Sequence, residues 1–264
     1  MRRSAVIGSL GALVVVAATM VTVTRRESPS AIAAPAFSTA DVADEFVAGG
    51  NWRAAVSADW LPDGRMIVIR TTGEVMVVTP TTGSSVNLMT IPNLLTTGES
   101  GLLDVAVDPS FATNNRFYTY SVSSATRRLQ IDRFTLSASG ATTLASRQTI
   151  WTNPGPAAVP DYHVGGSLNI SPDGKFFLST GDNTEGPNSQ SLTNVFGKVL
   201  RINLDGTLPA GNPFADGAGP NIDEIWARGL RNAFRSSFDN ADSSSSTNAI
   251  DALLTSLEVP VAWM

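Results

Sequence analysis

Four short stretches of this chain carry side chains that could do chemistry. His163 is the only histidine in 264 residues and stands just ahead of Gly165-Gly166. An imidazole titrates at about pH 6.5, so it can take a proton near neutrality, and small neighbours would let a substrate or a planar cofactor come close. A histidine of this kind can equally be a hydrogen-bonded loop residue. In Gly98-Glu99-Ser100-Gly101 a carboxylate lies between glycines directly before an apolar run, placed to orient a hydroxyl or to assist a base, or simply to be a solvated turn residue. Arg231-Asn232 pairs a permanently charged fork of donors with a neutral amide, a set suited to holding an oxyanion or carbonyl oxygens. Arg228 and Arg235 close by also allow it to be part of a charged surface. Asp182, in Gly181-Asp182-Asn183, could donate oxygens to a cation. One carboxylate is far from the ~6 to 8 oxygens that calcium takes, so this stretch reads as mainly structural.

The elements that must position these residues read as strands. From Asn51 onward, short apolar runs are punctuated by Gly, Pro, Asn, Asp, Ser and Thr, and no amphipathic helix of normal length appears up to about residue 235. Arg65 to Arg70 and Glu74 to Val78 flank Thr71-Thr72-Gly73 as a hairpin. A second unit runs from Leu102 to Val122, with a turn at Ala112–Asn115 and a further strand at Gln130 to Leu136. A third starts at Ser167, turns at Pro172-Asp173-Gly174 and returns through Phe176 to Leu178. The phrase "strand, Pro-Asp turn, aromatic strand" thus begins near positions 58, 104 and 167, at blade-like intervals. The expected fold is all-β, a β-propeller of four-stranded blades, with a sandwich or irregular barrel as the competing reading. Material for about three to four blades is present, fewer than a closed ring of about four to eight would use. Phe196 to Gly206 reads as a strand running into an Asp-Gly turn.

Composition narrows the function. Hydrophobic residues make up 42% of the chain and charged residues 16%, with a net charge of −5, so a sizeable core is available and no basic surface for nucleic acid. There is no cysteine, which excludes disulfides, thiolate zinc sites and thiol nucleophiles, and one histidine excludes a multi-histidine metal centre. The expected organisation is a signal peptide or N-terminal anchor over residues 1–34, a linker over 35–50, a partial propeller over 51–239 and a Ser-rich tail over 240–264, where Ala249 to Val259 could form a short helix. Arg2-Arg3 followed by the apolar run Ala5 to Val23 and Ala31-Ile32-Ala33 has the form of a cleavable export signal, with an uncleaved membrane anchor as the alternative. Either places the working domain outside the cytoplasm, periplasmic or extracellular. Arg2-Arg3 lacks the surroundings of a twin-arginine signal.

Five phrases in consistent order resemble the glucose/sorbosone dehydrogenase family of soluble quinoprotein sugar dehydrogenases: 61–78, 98–122, 163–183, 196–214 and 224–239. The resemblance implies a six-bladed propeller that binds pyrroloquinoline quinone (PQQ) with calcium and oxidises the C1 hydroxyl of an aldose to the lactone. Carried onto this chain, it makes His163 the general base, Arg231 and Asn232 the contacts to the quinone oxygens, and Glu99 a neighbour of the reacting sugar hydroxyl. Tyr162 stands in the substrate region where glucose-oxidising relatives tend to carry Asp. The metal-binding residues are left unassigned. The family's grip on the cofactor carboxylates, and the backbone oxygens for calcium, come from blades beyond the Arg-Asn phrase, where this sequence turns Ser-rich. The expectation is therefore an amino-terminal portion of a family member, poorly stable and weak in PQQ binding when made as 264 residues. The implied partners are an aldose substrate and an electron acceptor that the sequence does not identify. Two other readings compete: a non-catalytic secreted propeller that binds carbohydrate or protein, and a calcium-dependent lactone hydrolase, for which converging acidic ligands are wanting.

Overall fold

In a computed structural model, residues 54–137, 144–155, 159 and 161–238 are described. The expected signal or anchor, the linker and the Ser-rich tail with its short helix lie outside these residues. Twelve strands form three antiparallel four-stranded sheets. The first holds β1 (Ala55–Trp60), β2 (Met66–Arg70), β3 (Glu74–Thr79) and β4 (Ser84–Thr90), in that order. The second holds β5 (Leu102–Val107), β6 (Arg116–Val122), β7 (Leu129–Thr135) and β8 (Gln148–Thr152). The third holds β9 (Leu168–Ile170), β10 (Lys175–Ser179), β11 (Lys198–Asn203) and β12 (Ile225–Arg228), again as a simple meander. The opening strands lie side by side, β1 against β5 and β5 against β9, which is the arrangement of propeller blades around a channel. The three repeats expected near positions 58, 104 and 167 are these three inner strands.

Turn chemistry explains why the first and third blades start in the same way. Leu61-Pro62-Asp63-Gly64 and Ser171-Pro172-Asp173-Gly174 both close with the glycine N–H donating to the first residue's carbonyl, at 3.0 and 2.9 Å. Gly64 and Gly174 have φ of +84° and +70°, which glycine adopts without steric cost. The second blade uses a four-residue helix, α1 (Phe111–Asn114), ended by Asn115 in the left-handed region, whose N–H donates to the Phe111 carbonyl.

Two apolar layers join the blades. Between the first and second lie Ile67, Ile69, Val75 and Val77 with Leu102, Val105, Phe117 and Phe134, the two rings stacked at 5.3 Å. Between the second and third lie Tyr118, Tyr120 and Ile131 with Phe176, Leu178, Leu200 and Ile202. Strands such as β2 (MIVIR) and β10 (KFFLS) are apolar on both faces, because a blade inside a propeller is covered on both sides. Phe176 is fully buried and takes the edge of Tyr118 at 4.8 Å. Phe176→Ala is expected to cost about 3–5 kcal/mol, read as a lowered urea midpoint with an unchanged slope.

Candidate active site

The connections from one blade's outer strand to the next blade's inner strand end on one rim, and three of the singled-out groups sit there. Glu99 lies between β4 and β5, Tyr162-His163 between β8 and β9, and Arg231-Asn232 directly after β12. Asp182 joins them from the β10–β11 connection. Gly181 forms an isolated antiparallel bridge with Asn232, which seals that connection to the rim.

His163 is fixed on every side. Its backbone is in the left-handed region, φ +53°, with its N–H donating to Glu99 Oε2 at 2.8 Å and its carbonyl accepting from Asn183 N at 3.3 Å. Its ring is largely covered, and Nδ1 lies 2.7 Å from Asp182 Oδ1. Asp182 is buried, and the same oxygen accepts the Thr184 N–H at 3.0 Å. The Asp182 N–H donates to the Arg231 carbonyl at 2.7 Å. A carboxylate accepts, so Nδ1 carries the proton, and Nε2, which makes no hydrogen bond among the described residues, presents a lone pair. Asp182 was singled out only as a weak oxygen ligand in a structural stretch. Here it orients the imidazole. Asn183 and Thr184 follow with φ of +65° and +62°, and a β-branched residue in that region marks a strained turn held by its surroundings.

Asn232 ties two connections together. Its Oδ1 accepts the Gly165 N–H at 3.0 Å and its Nδ2 donates to Glu99 Oε2 at 2.9 Å. The Gly165 N–H can only donate and the carboxylate can only accept, so the amide orientation follows from its partners. One Nδ2 hydrogen remains for a ligand. Glu99 uses a single oxygen, Oε2, for both Asn232 and His163, which leaves Oε1 for a hydroxyl. The exposed Arg231 guanidinium makes no hydrogen bond or ion pair among the described residues. Tyr162 is 58% exposed beside His163, its hydroxyl likewise without a partner among them. All five predicted site residues therefore belong to one rim, with His163 and Asn232 both donating to the Glu99 carboxylate.

The glycines do something other than expected. A Cβ on Gly165 would stand 2.6 Å from the Ser179 carbonyl oxygen, and one on Gly166 would stand 2.9 Å from the Phe234 ring. Both are buried, so they bring the loop onto the body of the third blade rather than clearing space for a ligand.

Arg235, expected among surface charges, is a cross-blade tie. Its Nη1 donates to the carbonyls of Gly166 and Phe234, each at 2.7 Å, and its Nη2 to those of Val56 and Leu103. Residues of all three blades thus meet on one guanidinium. Asp104 stands in the same channel, accepting from Ser57 Oγ and from the N–H groups of Val105 and Leu168; burial raises its pKa, and the positive charge of Arg235 partly offsets the rise. The sequence signal was an apolar strand, LLDVAV, interrupted by one acid. With Asp59 these groups line a cavity of about 360 Å³ between the inner strands.

Two donors on the rim, the Arg231 guanidinium and a spare Asn232 amide hydrogen, fit an anionic, carbonyl-bearing molecule, and beside them the open His163 nitrogen is an acceptor. Among the described residues no three His, Asp or Glu side chains converge as a metal site, so the carboxylates present do not by themselves form a cage for the calcium that the resemblance implies.

Comparison with known proteins identifies the family and supports the fold. The family model for glucose/sorbosone dehydrogenase matches residues 52–244. The aldose sugar dehydrogenase YliI of Escherichia coli is 31% identical over 180 residues, covering 66% of this chain and 47% of that protein. Quinoprotein glucose dehydrogenase B of Acinetobacter calcoaceticus is 29% identical over 203 residues, covering 66% and 41%. Among solved structures, the apo soluble aldose sugar dehydrogenase from Escherichia coli superposes with a TM-score of 0.63 at 27% identity, covering 71% of this chain and 54% of that one. The PQQ-bound aldose sugar dehydrogenase from Streptomyces coelicolor gives 0.60 at 26% identity, covering 68% and 51%. The chain thus spans less than half the length of these two curated relatives, and its three blades are part of a propeller. On its motifs, its blades and its matched residues, the chain belongs to the glucose/sorbosone dehydrogenase family.

Proposed function

We propose that this chain carries the proton-abstracting part of a PQQ-dependent sugar dehydrogenase that oxidises the C1 hydroxyl of an aldose to the lactone. The observation that carries the reading is the 2.7 Å contact between His163 Nδ1 and the buried Asp182, which leaves Nε2 as a free base on a rim that also holds an unpaired arginine. His163 Nε2 takes the hydroxyl proton, and Asp182 holds the ring in the tautomer this needs and stabilises the imidazolium that results. Glu99 Oε1 receives a second sugar hydroxyl, and the exposed Tyr162 offers an aromatic face to the pyranose ring. Arg231 and the spare Asn232 hydrogen would hold PQQ, their positive and partly positive charges opposing the negative charge that gathers on the acceptor's oxygens. PQQ, when bound, supplies the two-electron acceptor for the C1 hydrogen. The relatives' names support this assignment: one is called a quinoprotein, and one solved structure is a PQQ-bound form. We also place the activity outside the cytoplasm, on the basic start and apolar run of residues 2–23.

The test is titration of PQQ into the protein with sugar-dependent dye reduction as the second readout. It is made on the chain as it stands and on the chain joined to the remainder of the Escherichia coli aldose sugar dehydrogenase. Arg231→Ala is expected to weaken PQQ binding about 10- to 100-fold, the effect of one charge-assisted hydrogen bond of about 1.5–3 kcal/mol. Binding that is unchanged by this substitution would remove Arg231 from the cofactor site. If the joined protein binds PQQ but reduces no dye with any aldose, the dehydrogenase reading fails.

A further inference from the structure

Lys198 opens β11 and is fully buried, yet among the described residues it has no carboxylate partner. Its Nζ donates to the carbonyls of Asn188, at 2.8 Å, and Phe196. Both lie on the segment between β10 and β11, and Asn188 sits in the 3₁₀ turn Gly186–Gln190. From that turn the Asn188 side chain reaches back, its Nδ2 donating to the Asp182 carbonyl at 3.1 Å. The turn also receives the strand leading to Arg231, because Gly229 N donates to the Ser189 carbonyl at 3.0 Å and Arg228 Nη1 to that of Gln190 at 2.7 Å. The amine thus lies beneath a turn to which both Asp182 and the segment leading to Arg231 are fastened.

We infer that Lys198 is a positioning residue for the His163–Asp182 pair, acting through Asn188 to hold the Asp182 loop at the height at which its carboxylate meets Nδ1. This deepens the reading of His163 as a base, but it concerns the geometry of the ring and stands or fails separately from sugar oxidation.

The charged surroundings of the amine are few. Arg228, its register partner on β12, repels it; Asp182 is committed to His163; Glu185 on the same loop is exposed. Burial, with a smaller repulsion from Arg228, brings the pKa of Lys198 down to about 8. Below that pH the two carbonyls receive charge-assisted hydrogen bonds, and above it weaker neutral ones. The folded pKa lies below the ordinary lysine value, so global stability is expected to rise, not fall, as the pH climbs from about 8 toward 10.5. A change at His163 over that range is then not general unfolding.

The chain makes the experiment clean, since it has one histidine and only two lysines, Lys175 and Lys198. Nuclear magnetic resonance of protein labelled at histidine and lysine reads both ends of the linkage in the unmodified 264-residue chain. One lysine Cε signal is expected to titrate near pH 8, and the His163 ring signals are expected to show an inflection at the same pH. In Lys198→Met that inflection is lost and the ring nitrogens shift from the Nδ1–H form toward a mixture of tautomers. Asn188→Ala, on a partly exposed turn, serves where the methionine variant does not fold: Lys198 still titrates, but His163 no longer reports it. An inflection that persists in Asn188→Ala, or a ring spectrum unchanged in Lys198→Met, overturns the proposal. So does the absence of any His163 response near pH 8 in the unmodified chain.

Discussion

His163→Gln is expected to lower PQQ-dependent sugar oxidation by about 100- to 10,000-fold while leaving PQQ affinity within about twofold. The second half of that expectation follows from the site's layout. His163 takes its backbone position from the Glu99 carboxylate and the Asn183 N–H, neither of which touches the ring. Glutamine can keep the loop in place and can donate an amide hydrogen to Asp182, yet its amide does not accept a proton at neutral pH. The loss should fall on kcat, since the interaction removed is one that develops with proton transfer. The measurement is steady-state dye reduction on the joined protein beside a PQQ titration. A variant that keeps its rate would assign the base elsewhere. One that loses rate and cofactor affinity together would make His163 a cofactor ligand first.

Gly181→Ala should be a severely damaging single methyl at the rim. A Cβ there would stand 2.0 Å from the His163 carbonyl oxygen and 2.9 Å from Asn232 Oδ1. Neither is the loose end of a flexible side chain: the first is backbone, and the second is held by the Gly165 N–H. Relief requires moving the His163 loop away from the β10–β11 connection, which would break the Gly181–Asn232 bridge and stretch the Nδ1–Asp182 contact. Overpacking costs about 1–3 kcal/mol where side chains can yield. Here the expected loss is at the upper end or beyond it, with sugar oxidation falling further than stability. Denaturant unfolding and dye reduction by the joined protein measure the two effects. Near-wild-type values in both would mean that the close approach is not needed.

The repeat of strand, Pro-Asp turn and aromatic strand was legible because its parts are local. A Pro-Asp-Gly turn needs no distant partner, and the aromatic strands β6 and β10 announce themselves by composition. The outer strands were not legible. The sequence of β4, SSVNLMT, is mostly exposed and could pass for a loop, and its pairing with β3 shifts register between Val75 and Met76. His163, Glu99, Arg231 and Asn232 stood out by residue type, and family resemblance supplied their roles and added Tyr162, but their mutual contacts were visible in neither. Asp182 could have been found from geometry: β9 and β10 pair with Leu168 opposite Leu178, and that register, extended to the end of the hairpin, sets His163 beside Asn183 and Asp182. Reading Gly181-Asp182-Asn183 as mainly structural, with Asp182 a weak oxygen ligand, hid this. Arg235 and Lys198 were harder still, since the partners that define them are backbone carbonyls from several elements, and carbonyls carry no sequence signature.

The rim is assembled from connections, and each sheet completes its own hydrogen-bond ladder without them. Blades and connections can therefore be edited separately. Tyr162 can be varied while its neighbour His163 is kept, and the imidazole would keep its carboxylate, because Asp182 arrives on a different connection. On the proposed roles, substrate choice and proton transfer are in this sense modular. A library varied around Tyr162, screened for new aldoses, would explore specificity on an unchanged catalytic pair.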